Sequence, residues 1–325
     1  MTAIPFPNAR IRKVNVSQDL MAVADLIEVC FASTMDSDGR DYLRHLRWSA
    51  RDLSSLAWLQ NAAERIATPL FGFVWEEDSK IVGNLSLIPI NRGGKVTYLI
   101  ANVAVHPDYR RRGIGRYLTQ AALDHLAERG VEMAWLQVRD DNPTAYHLYL
   151  SLGFIERTRR TTWLSPLMVQ ESMLPAHGIH VSRRRGEDWP VQQRLLRETY
   201  PPEVAWNLPI SFSRLNPDPF QGFLRWLRGE PQENWAAYHN NKPVGFITWE
   251  PMRSSMDVLW AAADPDYEDL ALRVLLPHAR RALSRRVRPL SVNYPAGRAA
   301  VAFQQAGFAH HQTLVWMSIP LQPPR

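Results

Sequence analysis

The hydrophobic positions of the chain change several times between a strand period and a helix period. Residues 11–16, Ile-Arg-Lys-Val-Asn-Val, predict a short first strand, since three of the six are β-branched. Apolar residues then return every three or four positions and predict a helix with one apolar face; they are Leu20, Val23, Ala24, Ile27 and Phe31. The alternation continues along the chain, so the pattern predicts a mixed α/β protein.

The first half contains four further strand-like blocks. Residues 70–75 and 80–88 flank Glu-Glu-Asp-Ser, a polar run typical of a hairpin turn. Residues 97–105 are mostly β-branched or small apolar and predict the central strand, and residues 134–138 predict the next one. Between the first helix and these strands, residues 34–68 predict a polar turn followed by a helix.

One stretch, residues 103–118, combines a buried strand, a basic turn and the start of a helix. The strand ends at His-Pro-Asp-Tyr, because proline lacks a backbone donor and restricts the residue before it. Gly113 and Gly115 carry no Cβ, so a ligand can approach the first helical turn closely. The free N–H groups of that turn, the helix dipole and the arginines at 110–112 suit an anion such as a diphosphate.

A second motif, at residues 142–154, reads Asn-Pro-Thr-Ala-Tyr-His-Leu-Tyr-Leu-Ser-Leu-Gly-Phe. Together with Arg-x-x-Gly-x-Gly at residues 110–115, it resembles the signature of the GCN5-related N-acetyltransferases (GNAT). The strand–turn–helix–strand–helix order between the motifs also agrees. The resemblance implies a mixed, largely antiparallel sheet flanked by helices, with acetyl-coenzyme A as co-substrate and no metal.

The resemblance also implies roles for particular residues. The main chain at 103–105 would grip the pantetheine arm and polarise the thioester carbonyl, in a gap between strands that part at positions 103 and 136. The amides of 111–117 would hold the pyrophosphate, and Asn142 would bind the pantetheine. The expected cofactor-binding residues are Val103, Ala104, Val105, Arg110, Arg111, Arg112, Gly113, Ile114, Gly115, Arg116, Tyr117, Asn142, Ala145 and Tyr149.

Tyr149 is the candidate catalytic residue, because a phenol can protonate a departing thiolate within hydrogen-bond reach. Its alternative role is core packing on an amphipathic helix. The general base stays open: some family members carry a glutamate where Leu99 aligns, and leucine cannot accept a proton. The alternatives are release of the proton to water or transfer to one of Glu76, Glu77, His106, Asp140 and Asp141.

The second half of the chain is similar to a degenerate copy of the first. Asp264-Pro-Asp-Tyr267 matches the turn that precedes the glycines. Where the first half has the arginines and glycines of the anion site, the second has Glu268, Asp269, Ala271 and Arg273. Carboxylates and added side chains oppose a diphosphate, so this half is expected not to bind the cofactor. Phe303 takes the place of Tyr149 and has no proton to give.

We therefore expect two tandem GNAT domains, a catalytic one at 1–168 and a degenerate one at 179–325, with a linker at 169–178. Mycothiol synthase has a similar tandem arrangement, but here the intact motif is in the first half, so its substrate is not transferred. The expected function is acetyl transfer from acetyl-CoA to a primary amine of an unidentified acceptor. The alternative is a non-catalytic acetyl-CoA-binding sensor or scaffold.

Composition, cysteine count and charge indicate the compartment of the protein and the kinds of partner it has. Hydrophobic residues make up 46% of the 325-residue chain and charged residues 22%, which is typical of a globular protein. A single cysteine, Cys30, excludes an intramolecular disulfide framework, and the start of the chain has no signal-peptide pattern, so we expect a cytoplasmic protein without membrane contact. The net charge of +6 comes from dispersed arginines, which argues against nucleic acid as a partner.

Overall fold

The structure is a computed structural model. It describes residues 10–35, 37–51, 71–92, 95–166, 178–208, 211–217, 232–250, 256–286 and 288–322. The chain divides into two compact units. Unit 1 comprises residues 1–138, 142–157 and 316–325, and unit 2 comprises residues 139–141 and 158–315. The expected linker at 169–178 lies outside the described residues except for Gly178.

Unit 1 alternates strands and helices as the hydrophobic pattern predicts. Its strands are β1 (Ile11–Lys13), β2 (Gly72–Glu77), β3 (Lys80–Arg92), β4 (Lys95–Val105) and most of β5 (Met133–Arg139). Its helices are α1 (Val16–Phe31), α2 (Ser37–Arg51), α3 (Ile114–Glu128) and α4 (Pro143–Ser151). The later part of the helix expected within 34–68 lies outside the described residues.

The sheet of unit 1 is mixed and largely antiparallel. Strands β1 to β4 pair antiparallel in chain order, and β5 then pairs parallel to β4. Asp78 and Ser79 have positive φ angles of 50° and 60°, as a tight two-residue hairpin between β2 and β3 requires. The apolar face of α1 packs on α2 and the sheet around Leu20, Ile27 and Leu46. The predicted hairpin, central strand and mixed α/β class are confirmed.

Unit 1 takes its last strand from the end of the chain. Strand β12 (Ala309–Pro320) lies next to β5, and residues from Trp316 onward belong to unit 1. Leu321 N–H donates to Glu132 O at 2.8 Å, and Arg157 Nε donates to Ser318 Oγ at 2.7 Å. Strand β6 (Ile155–Ser165) likewise begins in unit 1 and continues into unit 2.

Unit 2 repeats the same order of elements. Strands β7 (Ile179–Arg183), β8 (Glu233–His239), β9 (Lys242–Trp249) and β10 (Asp257–Ala263) pair antiparallel, and β11 (Leu290–Pro295) pairs parallel to β10. Residues of β6 pair antiparallel with β11. Its helices are α5 (Trp189–Thr199), α6 (Pro202–Ala205), α7 (Glu268–Leu283) and α8 (Ala300–Gln305). The second hairpin has positive φ at Asn240 and Asn241. The predicted duplication is confirmed.

The exchange of end strands makes unit 1 incomplete when the chain is cut at residue 168. We expect residues 1–168 alone to aggregate or to lack cooperative unfolding, because β5 then exposes an unpaired edge and apolar surface. Adding residues 308–322 behind a glycine–serine linker restores the strand and should restore a soluble, cooperatively unfolding unit. Size-exclusion chromatography and thermal melts check both. A soluble, cooperative 1–168 fragment would contradict this account.

Candidate functional site

The site begins where two parallel strands part. Strands β4 and β5 pair at three positions, from Tyr98 with Ala134 to Ile100 with Leu136. Past Ile100, the described residues of β4 that still pair, Ala101, Ala104 and Val105, pair with β3 and not with β5, so a gap opens beside Val103. The expected parting of the strands past position 136 is present.

The turn that follows β4 leads into an uncapped helix. A single helical turn at Pro107–Tyr109 is followed by Arg111 and Gly113, both in the left-handed region with φ of 64° and 78°. Helix α3 then starts without any side-chain cap and without an acidic residue in its first turn. Because the first N–H groups of a helix have no internal partner, those of Ile114, Gly115 and Arg116 can donate to an anion.

Gly115 joins three parts of the site. A Cβ added to it would lie 3.4 Å from Leu148 Cδ2 on α4 and 3.9 Å from Val105 Cγ2 at the end of β4. These are ordinary contact distances, so internal packing does not demand glycine here. The missing side chain leaves room above the first turn of α3, which fits close approach of a diphosphate-bearing ligand.

The four arginines around this turn differ in their contacts. Arg110 Nε donates to Val105 O at 3.1 Å, a carbonyl that also accepts from Cys30 Sγ at 3.3 Å. Arg112 lies 4.8 Å above the Tyr109 ring, and Arg116 donates to Ser151 Oγ at 2.6 Å. Arg111 is exposed and makes no ion pair or hydrogen bond with the described residues. Three of the arginines therefore contact neighbouring protein groups, and the Arg111 side chain is available to pair with an anion.

Helix α4 brings the second motif to the same place. Asn142 caps it by accepting from Ala145 N–H at 3.1 Å, which leaves the side-chain N–H₂ group for a ligand. Tyr149 is 5% exposed and packs edge-on against Phe154, with ring centroids 5.8 Å apart. Burial raises the pKa of the Tyr149 phenol, so the hydroxyl keeps its proton through the neutral range. Such a group can donate a proton.

The candidate bases are mostly engaged elsewhere. Glu76 pairs with Arg12 at 2.7 Å, and Glu77 pairs with Arg10 at 3.2 Å. The Nδ1 of His106 accepts from Asp108 N–H at 3.4 Å, in the turn that follows β4. Asp140 and Asp141 belong to unit 2, where a bidentate bond to Arg139 lowers the pKa of Asp141. None of these contacts singles out one side chain as the base.

In unit 2 the corresponding gap is filled. Strands β10 and β11 pair only from Asp257 to Leu259 in β10, so they part as β4 and β5 do. Tyr200 Oη donates to Asn293 O at 3.0 Å and contacts the backbone of Ala261, and thus spans the two strands. The buried Arg160 lies 4.6 Å over the Tyr200 ring and donates to Asn293 Oδ1 at 2.7 Å. The sequence gives no local signal for this arrangement.

The anion site is also lost at the start of α7. Glu268 accepts from Tyr294 Oη at 2.7 Å and pairs with Arg298 at 2.7 Å, and Asp269 pairs with Arg273 at 2.6 Å. A carboxylate therefore occupies the helix end that α3 leaves open. Phe303, which replaces Tyr149, stacks on Trp163 with centroids 5.0 Å apart.

Comparison with known proteins agrees with this geometry. A profile described as "Acetyltransferase (GNAT) family" matches residues 32–154. Residues 32–154 belong to the GNAT family. A GNAT structure from Sphaerobacter thermophilus covers 98% of both chains at 16% identity, with a TM-score of 0.59. A tandem GNAT protein from the clavulanic acid biosynthesis pathway covers 97% of this chain and 99% of its own, also at 16% identity, with a TM-score of 0.50. The tandem GNAT fold is confirmed.

The curated relatives match a short part of the chain. The ribosomal protein bS18-alanine N-acetyltransferase of Escherichia coli is 50% identical over 62 residues, 19% of this chain and 42% of its own length. A mycothiol acetyltransferase from Tsukamurella paurometabola is 43% identical over 61 residues, 19% of this chain and 21% of its own length. The chain thus matches less than half the length of either relative. In the described part, no helix is long and apolar enough to cross a membrane.

The filled gap of unit 2 predicts a graded loss of stability at Tyr200. Tyr200→Phe removes the hydroxyl that bonds Asn293 O and the backbone of Ala261, and should lower the free energy of unfolding by about 1–3 kcal/mol. Tyr200→Ala also removes the ring and should lower it by about 3–5 kcal/mol. Chemical denaturation followed by tryptophan fluorescence measures both. Equal effects of the two variants would show that the ring does not fill the gap.

Proposed function

We propose that unit 1 transfers the acetyl group of acetyl-CoA to a primary amine. The observation that carries this proposal is the uncapped start of α3, with Gly115 beside the gap between β4 and β5. When bound, acetyl-CoA supplies the acetyl group as an activated thioester, and the reaction replaces its C–S bond with a C–N bond. The amides of Ile114 to Arg116 and the side chain of Arg111 hold the diphosphate.

The remaining residues orient the thioester and the pantetheine arm and transfer the protons of the reaction. The main chain of residues 103–105 lines the gap and orients the thioester. Asn142 offers its side-chain N–H₂ group to the pantetheine. Tyr149 gives its proton to the departing thiolate sulfur and regains one from solvent. The proton of the amine leaves through water, since Leu99 cannot accept it and no described acidic side chain is singled out for the task.

The relatives support the amine class without fixing the acceptor. One acts on an alanine of a ribosomal protein and another is named for mycothiol, so acceptors among the relatives differ widely. The second candidate is a protein that binds acetyl-CoA without turnover, and Leu99 at the position of the family's glutamate favours it. A screen of peptide amines and small-molecule amines, with detection of the free thiol of coenzyme A, separates an acetyltransferase from a protein that binds acetyl-CoA without turnover.

One coenzyme A should bind per chain, because the start of α7, the helix of unit 2 that corresponds to α3, carries Glu268 and Asp269 where α3 has no acidic residue. Gly115→Arg fills the room above the first turn with a side chain and should abolish binding. The matched control, Arg273→Gly, makes the opposite change at the aligned position of unit 2, where it should neither weaken binding nor create a site. Isothermal titration gives the stoichiometry for each protein. Two equivalent sites in the native chain would contradict the proposal.

Tyr149→Phe should lower kcat by about 10²–10⁴-fold, because proton donation to the thiolate is lost in the transition state. Affinity for coenzyme A should change little, since the ring and its packing on Phe154 stay. The raised pKa of Tyr149 also predicts that activity does not fall on the alkaline side until well above the ordinary phenol pKa of about 10. Unchanged kcat, with chemistry shown to limit the rate, would assign Tyr149 to packing.

A further inference from the structure

A polar cluster lies where β3 pairs with β4 and where Tyr42 of α2 bonds a side chain of β4. It consists of Tyr42, Asn84, Ser86 and Asn102, and we call it the bulge cluster. Asn84 and Ser86 are both 0% exposed. Tyr42 comes from α2, and Asn102 lies in β4, just before the residues that line the gap. The sequence motifs do not include any of these four residues.

The cluster surrounds a bulge in β4. Ser86 pairs with Ala101 and Asn84 pairs with Ala104, so Asn102 and Val103 together stand opposite Leu85. Asn102 has a φ of 50°, a left-handed conformation that asparagine tolerates better than most residues. A bulge of this kind re-aims the backbone groups that follow it. Here the residue that follows is Val103, at the edge of the gap.

Side chains of the cluster hold the bulge from two directions. Asn84 Nδ2 donates to the main-chain oxygen of Asn102 at 3.0 Å, a group that a regular ladder would pair with backbone. Asn102 Nδ2 donates to Tyr42 Oη at 2.7 Å. Burial raises the pKa of Tyr42, so this hydroxyl is neutral at physiological pH. The bulge is thereby tied both to β3 and to α2.

Asn84 is only partly satisfied as a buried side chain. Its Oδ1 is buried and has no hydrogen-bond partner among the described residues, although buried polar atoms are nearly always paired. Leaving such an acceptor unpaired destabilises the folded state. A leucine at position 84 would remove this oxygen, but it would also leave the main-chain oxygen of Asn102 without the donor that Asn84 Nδ2 supplies. A fold that accepts an unfavourable buried group next to a reaction site points to a role in the reaction.

We propose that Tyr42, Asn84 and Asn102 are positioning residues that hold the β4 bulge so that the main chain of Val103 meets and polarises the thioester carbonyl. This inference rests on the proposed function of unit 1. It adds residues outside both motifs to the machinery, and it links α2 to the backbone at the gap. The cluster acts through the backbone, so its loss should leave the diphosphate site on α3 unchanged.

The test uses the full-length protein and isotope-edited infrared spectroscopy of bound [1-¹³C]acetyl-CoA. In the native protein, the thioester C=O stretch should lie below its value in solution, because hydrogen bonding polarises the carbonyl. In Tyr42→Phe and Asn84→Leu it should move back toward the solution value. The Kd for free coenzyme A should stay within about twofold, and kcat should fall about tenfold to a hundredfold.

Two controls separate positioning from folding. Asn84→Leu removes the unpaired oxygen together with the donor to Asn102 O, so a cooperative thermal melt and an unchanged Kd for coenzyme A show that this variant is folded while its C=O stretch shifts. Tyr200→Phe makes the same chemical change as Tyr42→Phe, but in unit 2, and should leave the stretch unchanged. Native protein that fails to bind acetyl-CoA would overturn the proposed function and this inference together. Binding with the same C=O stretch in native, Tyr42→Phe and Asn84→Leu proteins would overturn this inference alone.

Discussion

The site of unit 1 depends on backbone N–H groups that the protein leaves without partners. Helix α3 begins at Ile114 with no side-chain cap and no carboxylate in its first turn, where a capping side chain commonly satisfies such donors. The three free amides lie beside a gap that exists because β4 and β5 stop pairing after Ile100. An extended ligand with an anionic middle and a long neutral arm fits both features. Everything else in the site positions such a ligand or manages its protons.

Unit 2 has the same fold, but its gap is filled and the start of α7 carries carboxylates. Its strands pair in the same order and part in the same place, so the scaffold alone does not create a cofactor site. Tyr200 and Arg160 occupy the gap, and Glu268 places a carboxylate, bonded to Tyr294 Oη, at the start of α7. Glu268 is largely buried in an ion pair with Arg298, so it contributes to the structure of unit 2. Contacts between residues distant in the sequence thus make the same fold differ at its gap and at its helix start in the two units.

The sequence was sufficient where the signal is local. Glycines, prolines and hydrophobic period predicted both hairpins, α3, α4 and the duplication, because each depends on residues close together in the chain. The sequence could not predict that Trp316 to Pro320 complete unit 1. The alternation of apolar and polar residues along a strand identifies its buried face, but it does not determine which strand lies beside it. Tyr200 and Asn84 were missed for the same reason: both are ordinary residues in their own segments, and only residues distant in sequence give them a role.

The central claim is that the amides at the start of α3 bind the diphosphate. Backbone ¹H–¹⁵N chemical shifts, recorded while coenzyme A is added, test it directly. The account predicts the largest shifts at Ile114, Gly115 and Arg116, with none beyond noise at Glu268 and Asp269 at the start of α7. Shifts at α7, or binding that leaves the amides of α3 unchanged, would contradict it.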